Sequence, residues 1–226
     1  MAKSLSQSDH EPLSIAERRR EQIVAAAVAL FAERGYFQTT IEDISNAIGI
    51  GKGLIYRYFK DKNDVLFWAL CSVLNVYEPE NFVPPPGSGG SLAVLRRVLA
   101  ISCRMAQEHT QEVILAYRST KDLMPEQRRQ IKLIETTIAR KIEQCLRACI
   151  AEGLLQPLDV KIMAYQYIML GHTWALKHWA LRSHYTVDDY LAAGERLLIL
   201  PFLTAAGRKK LKAATVKQTT ARMTKA

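Results

Sequence analysis

The chain of 226 residues lacks a long apolar run: the longest unbroken one, IVAAAVALFA at 23–32, is half the length of a bilayer span. Residues 1–13, MAKSLSQSDHEPL, hold no apolar stretch of the kind a secretory leader needs, so the expected location is the cytoplasm, with no membrane partner. Cysteine is scarce, and Cys71, Cys103, Cys145 and Cys149 read as reduced thiols. Cys145 and Cys149 would share a helix face, but no further Cys or His completes a ligand set at zinc spacing, so no metal is expected. His172, His178 and His184 recur every six residues, which spreads them around a helix rather than gathering them. Strand-like alternation is missing, and there is no internal repeat. No nucleophile elbow, zinc-protease motif or local triad occurs, so the expectation is no enzyme, no catalytic residue and no cofactor. Acidic residues are missing from 205–226, which carries seven basic ones; without that segment 24 basic residues face 22 acidic ones. The net charge of +9 therefore belongs largely to the tail, which has no evident apolar face and reads as disordered.

What is present is helical punctuation, on a composition of 49% hydrophobic and 23% charged residues that can bury a sizeable core. Ser14 and Glu17 form a capping box, followed by Ile23, Ala26, Ala27, Leu30 and Phe31 on one face, with Gly35 placed to end the helix. Thr40 caps a short second helix with Glu42 and Asp43 in its first turn, and Gly49 stops it. A third helix is predicted over 51–59, and Asp61 caps a fourth over 62–77. The segment 78–90, EPENFVPPPGSGG, cannot continue a helix and reads as a connector. Helical periodicity resumes at Ser91 and persists to 204, with Pro125 opening a long helix that Gly153 ends.

The glycines of AIGIGKGLIYRYFKDK, 47–62, suggest a phosphate cradle, but their spacing fits neither the dinucleotide fingerprint nor the P-loop, and a capped helix precedes them where a strand is required. Helix, glycine-containing turn and short helix instead make a helix-turn-helix, whose second helix enters a major groove. Lys52, Tyr56 and Arg57 are then placed to reach phosphates or base edges, with Lys62 and the Thr39 and Thr40 hydroxyls as further phosphate contacts. Gly51 and Gly53 allow a close backbone approach, Ile55 and Phe59 face inward, and Leu54 either meets a thymine methyl or packs.

These residues carry a family resemblance. IVAAAVALFAERGYFQTTIEDISNAIGIGKGLIYRYFKDKNDVLFWAL, 23–70, resembles the DNA-binding domain of the TetR/AcrR transcriptional regulators. The match lies in the Ala-rich first helix ending in LFAERGY, the TT-I-DI second helix, the G-KG-IY-YF--K--L segment and the helix after it. By residue match, Thr40, Lys52, Gly53, Tyr56 and Lys62 occupy the family's usual DNA-contacting positions, while Gly51 and Leu54 depart from its usual residues. The resemblance implies a homodimer on a roughly palindromic double-stranded DNA operator. It also implies a C-terminal domain in which a small ligand changes the spacing of the two DNA-binding heads.

The expected architecture is all-α, with about nine helices. A disordered arm at 1–13 precedes a three-helix helix-turn-helix domain, 14–60; a helical ligand-binding and dimerisation bundle, 61–204, and the basic tail, 205–226, complete the chain. Within the bundle, Met105, Tyr117, Met124, Tyr167, His172 and Trp174 are candidates to line an apolar cavity for a small hydrophobic ligand, lipid-like, acyl or aromatic. Leu170, Trp174, Leu181, Leu191, Leu198 and Phe202 lie on two helices that suit a four-helix interface with a second copy. The reading is a ligand-responsive transcriptional regulator, a repressor. Two alternatives stay open on the sequence: a non-specific DNA-binding protein working through its basic tail, and a helical small-molecule enzyme or carrier.

Overall fold

The computed structural model describes residues 14–74, 82–83 and 90–213. The expected arm, most of the connector at 78–90 and the end of the tail lie outside the described residues. Ten named helices run in order: α1 (Ile15–Arg34), α2 (Ile41–Ala47), α3 (Lys52–Ile55), α4 (Lys62–Leu74), α5 (Ser91–Glu108), α6 (Thr110–Ser119), α7 (Pro125–Ala151), α8 (Val160–Leu176), α9 (His178–Leu181) and α10 (Val187–Leu198). Residues 205–213 form an eleventh helical run. Among the described residues there is no strand, only one antiparallel bridge between Leu155 and Leu203. The fold is all-α, as the periodicity requires.

The local signals act as expected. Ser14 Oγ accepts from the Glu17 amide at 3.2 Å while the Ser14 amide donates to Glu17 Oε2 at 2.8 Å. Thr40 and Asp43 repeat that reciprocal pair at 3.0 and 2.8 Å, as do Thr186 and Asp189 at 3.1 and 3.0 Å. Gly49 takes a φ of +65°, and the Ile50 amide then reaches back to the Ser45 carbonyl at 3.0 Å, closing α2. Two segments differ from the sequence reading. The third helix is α-helical only over Lys52–Ile55; beyond it the Arg57 and Tyr58 amides bond three residues back, to Leu54 and Ile55. Gly53 disfavours a longer helix, and the buried Ile55 and Phe59 pin the turn at 56–59 to the core. The tail is the second difference. Residues 205–213 are helical because Gly207 is buried against Leu154 and Leu211 packs on the core, an apolar contact hidden among lysines.

The chain divides into two compact units, 1–69 and 70–226, the division falling inside α4. In the first, Ile23, Ala27 and Phe31 of α1, Ile41 and Ile44 of α2, Ile55, Phe59, and Val65 and Leu66 of α4 form the core. The Arg20 guanidinium lies 4.7 Å from the Trp68 ring, joining α1 to α4. In the second, α8 is the central helix, packing on α5, α6, α7 and α10. Trp174 and Tyr167 are its largest buried side chains. A bidentate Arg96–Glu195 pair at 2.8 and 2.9 Å links α5 to α10.

The α5–α8 crossing depends on Gly171. A Cβ there would stand 2.9 Å from the Ser102 carbonyl oxygen and 3.0 Å from its carbon, so two helix backbones would have to separate. Gly171→Ala is expected to cost about 1–3 kcal/mol of stability, read as a lower urea midpoint with unchanged slope.

Candidate functional site

In the N-terminal unit the start of α3 is bare. Gly51, Lys52, Gly53, Tyr56 and Arg57 are exposed, Tyr56 to 50%, while Leu54 is half-buried and Ile55 fully buried. The short helix thus shows solvent one basic and aromatic face and keeps its apolar face in the core. Gly51 has a φ of −71°, Gly53 lies outside the left-handed region, and a Cβ on either would meet nothing within 4 Å. The fold does not need glycine at these two positions. Gly53, inside the helical turn, costs roughly 0.5–1 kcal/mol relative to alanine, while Gly51 is the N-cap, a position glycine suits.

Two residues expected at this surface are placed otherwise. Thr39 is completely buried, and its hydroxyl lies 2.9 Å from the Gly35 carbonyl and 3.3 Å from that of Leu30. Bonded across the end of α1, it is a core strut. Lys62 turns inward as well. Its ammonium donates to the carbonyls of Tyr36 and Thr39 at 2.9 Å each and lies 3.4 Å from that of Phe37, with the Tyr36 ring centroid 4.4 Å away. Burial pulls its pKa below the usual lysine value. Three donors set against three carbonyls leave none to reach a phosphate. Asn63 adds a bond from Nδ2 to the Tyr36 hydroxyl at 3.1 Å. Thr40 stays exposed, its hydroxyl donating to Asp43 Oδ2 at 2.7 Å.

The second unit contains an open cavity of about 320 Å³. Leu70 and Leu74 of α4, Val113, Ala116 and Tyr117 of α6, Thr120, Ile131 and Glu135 of α7, and His172 of α8 line it. Of the six residues expected to form a pocket, Tyr117 and His172 are there. Met105, Tyr167 and Trp174 are no more than 2% exposed and fill the core, and Met124 is 58% exposed on the surface. Composition cannot distinguish a buried aromatic that fills space from one that borders it. Glu135, Leu70 and Leu74 were missed because only the packing of α4 and α7 beside α6 brings them together.

Two polar lining residues, Tyr117 and His172, are paired, with the hydroxyl 2.9 Å from His172 Nδ1 and 3.3 Å from Met169 Sδ. Burial pushes the His172 pKa down to about 4, so the ring is neutral near pH 7. Glu135 stands at the exposed rim, and partial burial holds its carboxyl above the usual range against the opposing charge of Lys132. Burial and the nearby Glu135 both raise the Tyr117 pKa. The four cysteines are buried and unbridged; burial pushes Cys71 and Cys145 up to about 11 and Cys103 to about 12, so those thiols stay protonated.

Of the residues expected at a dimer interface, one is buried and five are half-buried within the single chain. Trp174 is core, and Leu170, Leu181, Leu191, Leu198 and Phe202 are half-buried against the unit's own core. Instead, the exposed large apolar side chains of this region are Ile162, Tyr165 and Met169 on α8, Trp179 on α9, Tyr185, and Leu197 on α10, with Trp179 75% exposed. No helix among the described residues is long and apolar enough to cross a membrane.

The family model for bacterial regulatory proteins of the tetR family matches residues 23–67, and the tetracyclin repressor-like C-terminal domain matches 88–179. A relative from Aromatoleum sp. (strain CIB), the HTH-type transcriptional regulator HbdR, is 41% identical over 196 residues, covering 86% of this chain and 85% of that protein. A bacterial regulatory protein in the tetR family from Rhodococcus RHA1 superposes with a TM-score of 0.69 at 19% identity, over 82% of this chain and 98% of that one. AibR, solved in complex with isovaleryl coenzyme A and operator DNA, superposes at 0.63 and 20% identity, over 82% of this chain and all (100%) of AibR. Such relatives are regulators rather than enzymes. With a helix-turn-helix head, a helical second unit and matches to both family models, the chain is a DNA-binding transcriptional regulator and belongs to the TetR family.

Proposed function

We propose that the protein is a homodimeric repressor released from a pseudo-palindromic operator by a small hydrophobic ligand. The observation that carries the DNA-reading part is the α3 face, where Lys52, Tyr56 and Arg57 are exposed beside two glycines that the fold does not require. In this reading Lys52 and Arg57 bond to phosphates or guanine edges, Tyr56 to a phosphate, and Gly51 and Gly53 bring the backbone close. Thr40 adds its hydroxyl at the rim of the site, and the half-buried Leu54 reaches a thymine methyl only with its exposed edge.

The cavity is the ligand site. At about 320 Å³ it lies at the lower end of the ~300–1,000 Å³ usual for small-molecule pockets. Its Leu, Val, Ala and Ile lining suits an acyl chain or a small aromatic group, in keeping with the isovaleryl coenzyme A bound by AibR. Leu70 and Leu74 belong to the helix that begins at Lys62 in the head, so a ligand pressing on the end of α4 acts on an element of the DNA-binding unit. A hundredfold loss of DNA affinity requires only ~2.7 kcal/mol of differential ligand affinity between the two states. The exposed apolar residues of α8–α10, with Trp179 foremost, supply the dimer contact.

Selection of bound sequences from a random DNA pool tests the reading; a pseudo-palindrome is expected, and sequence-independent recovery would favour the non-specific alternative. Because 205–213 is a packed helix, the tail should be removed only from 214 onward. That truncation is expected to keep operator preference and to flatten the salt dependence. Gly53→Ala should raise thermal stability, by roughly 0.5–1 kcal/mol, while weakening operator binding, a pairing of signs that a purely structural glycine would not give. Lys62→Met should lower the melting temperature and weaken operator binding while leaving the slope of log K against log salt unchanged. A phosphate-contacting lysine in each protomer would instead flatten that slope by about 1.8, roughly 0.9 per lost contact.

A further inference from the structure

The cavity contains a charge pattern that its apolar lining does not require. Among the described residues no Lys or Arg lines it, and its one ionisable acid is Glu135. Lys132, one turn earlier on α7, offsets that carboxyl only in part and is not a lining residue. His172 cannot supply a counter-charge, because burial keeps its ring neutral. A ligand entering with a free carboxylate would place a second negative charge beside Glu135 at this exposed rim with no cation in the wall to balance it, and a like charge close by disfavours the ionised form.

The Tyr117–His172 pair, which lines the same cavity, meets neutral groups well. The Tyr117 hydroxyl has one proton and two acceptors in reach, His172 Nδ1 and Met169 Sδ. If it donates to the ring nitrogen, its oxygen still accepts from a ligand. If it donates to the sulfur, Nδ1–H can turn to the phenol oxygen, which retains a lone pair. In both arrangements the pair can accept a hydrogen bond from a ligand hydroxyl.

Resting on the reading of this cavity as the effector site, we propose that it selects a ligand whose polar end is uncharged and carries a hydroxyl, and that Glu135 rejects the free carboxylic acid. An acid would then act only after a reaction that reduces its carboxyl group to a hydroxyl, the neutral group that can donate to the pair.

Calorimetric titration of the full chain with octan-1-ol, octanoate and octyltrimethylammonium near pH 7 tests this, since one chain length then carries three charge states. Octan-1-ol is expected to bind at least about tenfold more tightly than octanoate. In Glu135→Gln, and in Glu135→Thr as a second neutral variant, octanoate should gain most of that factor while octan-1-ol changes little. Equal binding of octanol and octanoate to the natural chain, a gap that persists in both variants, or a preference for the cation would each overturn the inference and leave the cavity a ligand site. Failure of all three probes to bind a chain that still melts cooperatively would overturn the effector-site reading itself, and the inference with it.

Discussion

The ammonium of Lys62 holds the DNA-binding unit in register. By bonding to carbonyls in the connector between α1 and α2, it ties the first turn of α4 to the segment from which α2 is launched. Thr39, in that same connector, is bonded to the end of α1, and Thr40 next to it caps α2. Helix α2 and its glycine stop in turn set where α3 begins. The exposed face of Lys52, Tyr56 and Arg57 is therefore positioned by a chain of polar contacts that starts at α4, with Ile55 and Phe59 fastening it from beneath. A half-buried cation with all its donors occupied serves this purpose because its displacement would strand several carbonyls at once.

The same helix ends in the cavity wall. Its 13 residues rise by about 20 Å at 1.5 Å each, carrying Lys62 at one end and Leu70 and Leu74 at the other. Bonded into the head at its N-terminus and lining the cavity near its C-terminus, α4 is the element through which the proposed ligand response would reach the head. Such a shared element is what coupling between two sites would require. Meanwhile, the crossing of α8 over α5 at Gly171, the buried Trp174 and the Arg96–Glu195 pair fasten the centre of the second unit.

Much of the head is legible in the sequence because its signals are local. Capping boxes, glycine stops and the inward Ile55 and Phe59 depend on residues three or four apart, and they appear where the sequence places them. Lys62 and Thr39 mislead for the opposite reason. A lysine or threonine near a DNA-reading helix has the right chemistry to hold a phosphate, and only the approach of the connector 36–39 to the start of α4 shows that carbonyls inside the unit have claimed those groups. The cavity is legible at Tyr117 and His172, whose polar ends among apolar neighbours hint at a site. Met105, Tyr167 and Trp174 give the same signal and turn out to be packing. The helix at 205–213 escapes a sequence reading because Gly207 and Leu211 have meaning only against Leu154 and the core.

The amino-acid sequence by itself determined the helices, their caps and breaks, the exposed basic face of α3 and the family, since each depends on short-range spacing or on a run of matching residues. Tertiary structure alone decided which polar side chains look outward, which aromatics border space instead of filling it, and which carboxyl lines the cavity. Those properties depend on distances between helices far apart in the chain, and a periodicity of 3.6 residues says which face of a helix is apolar without saying what that face will meet.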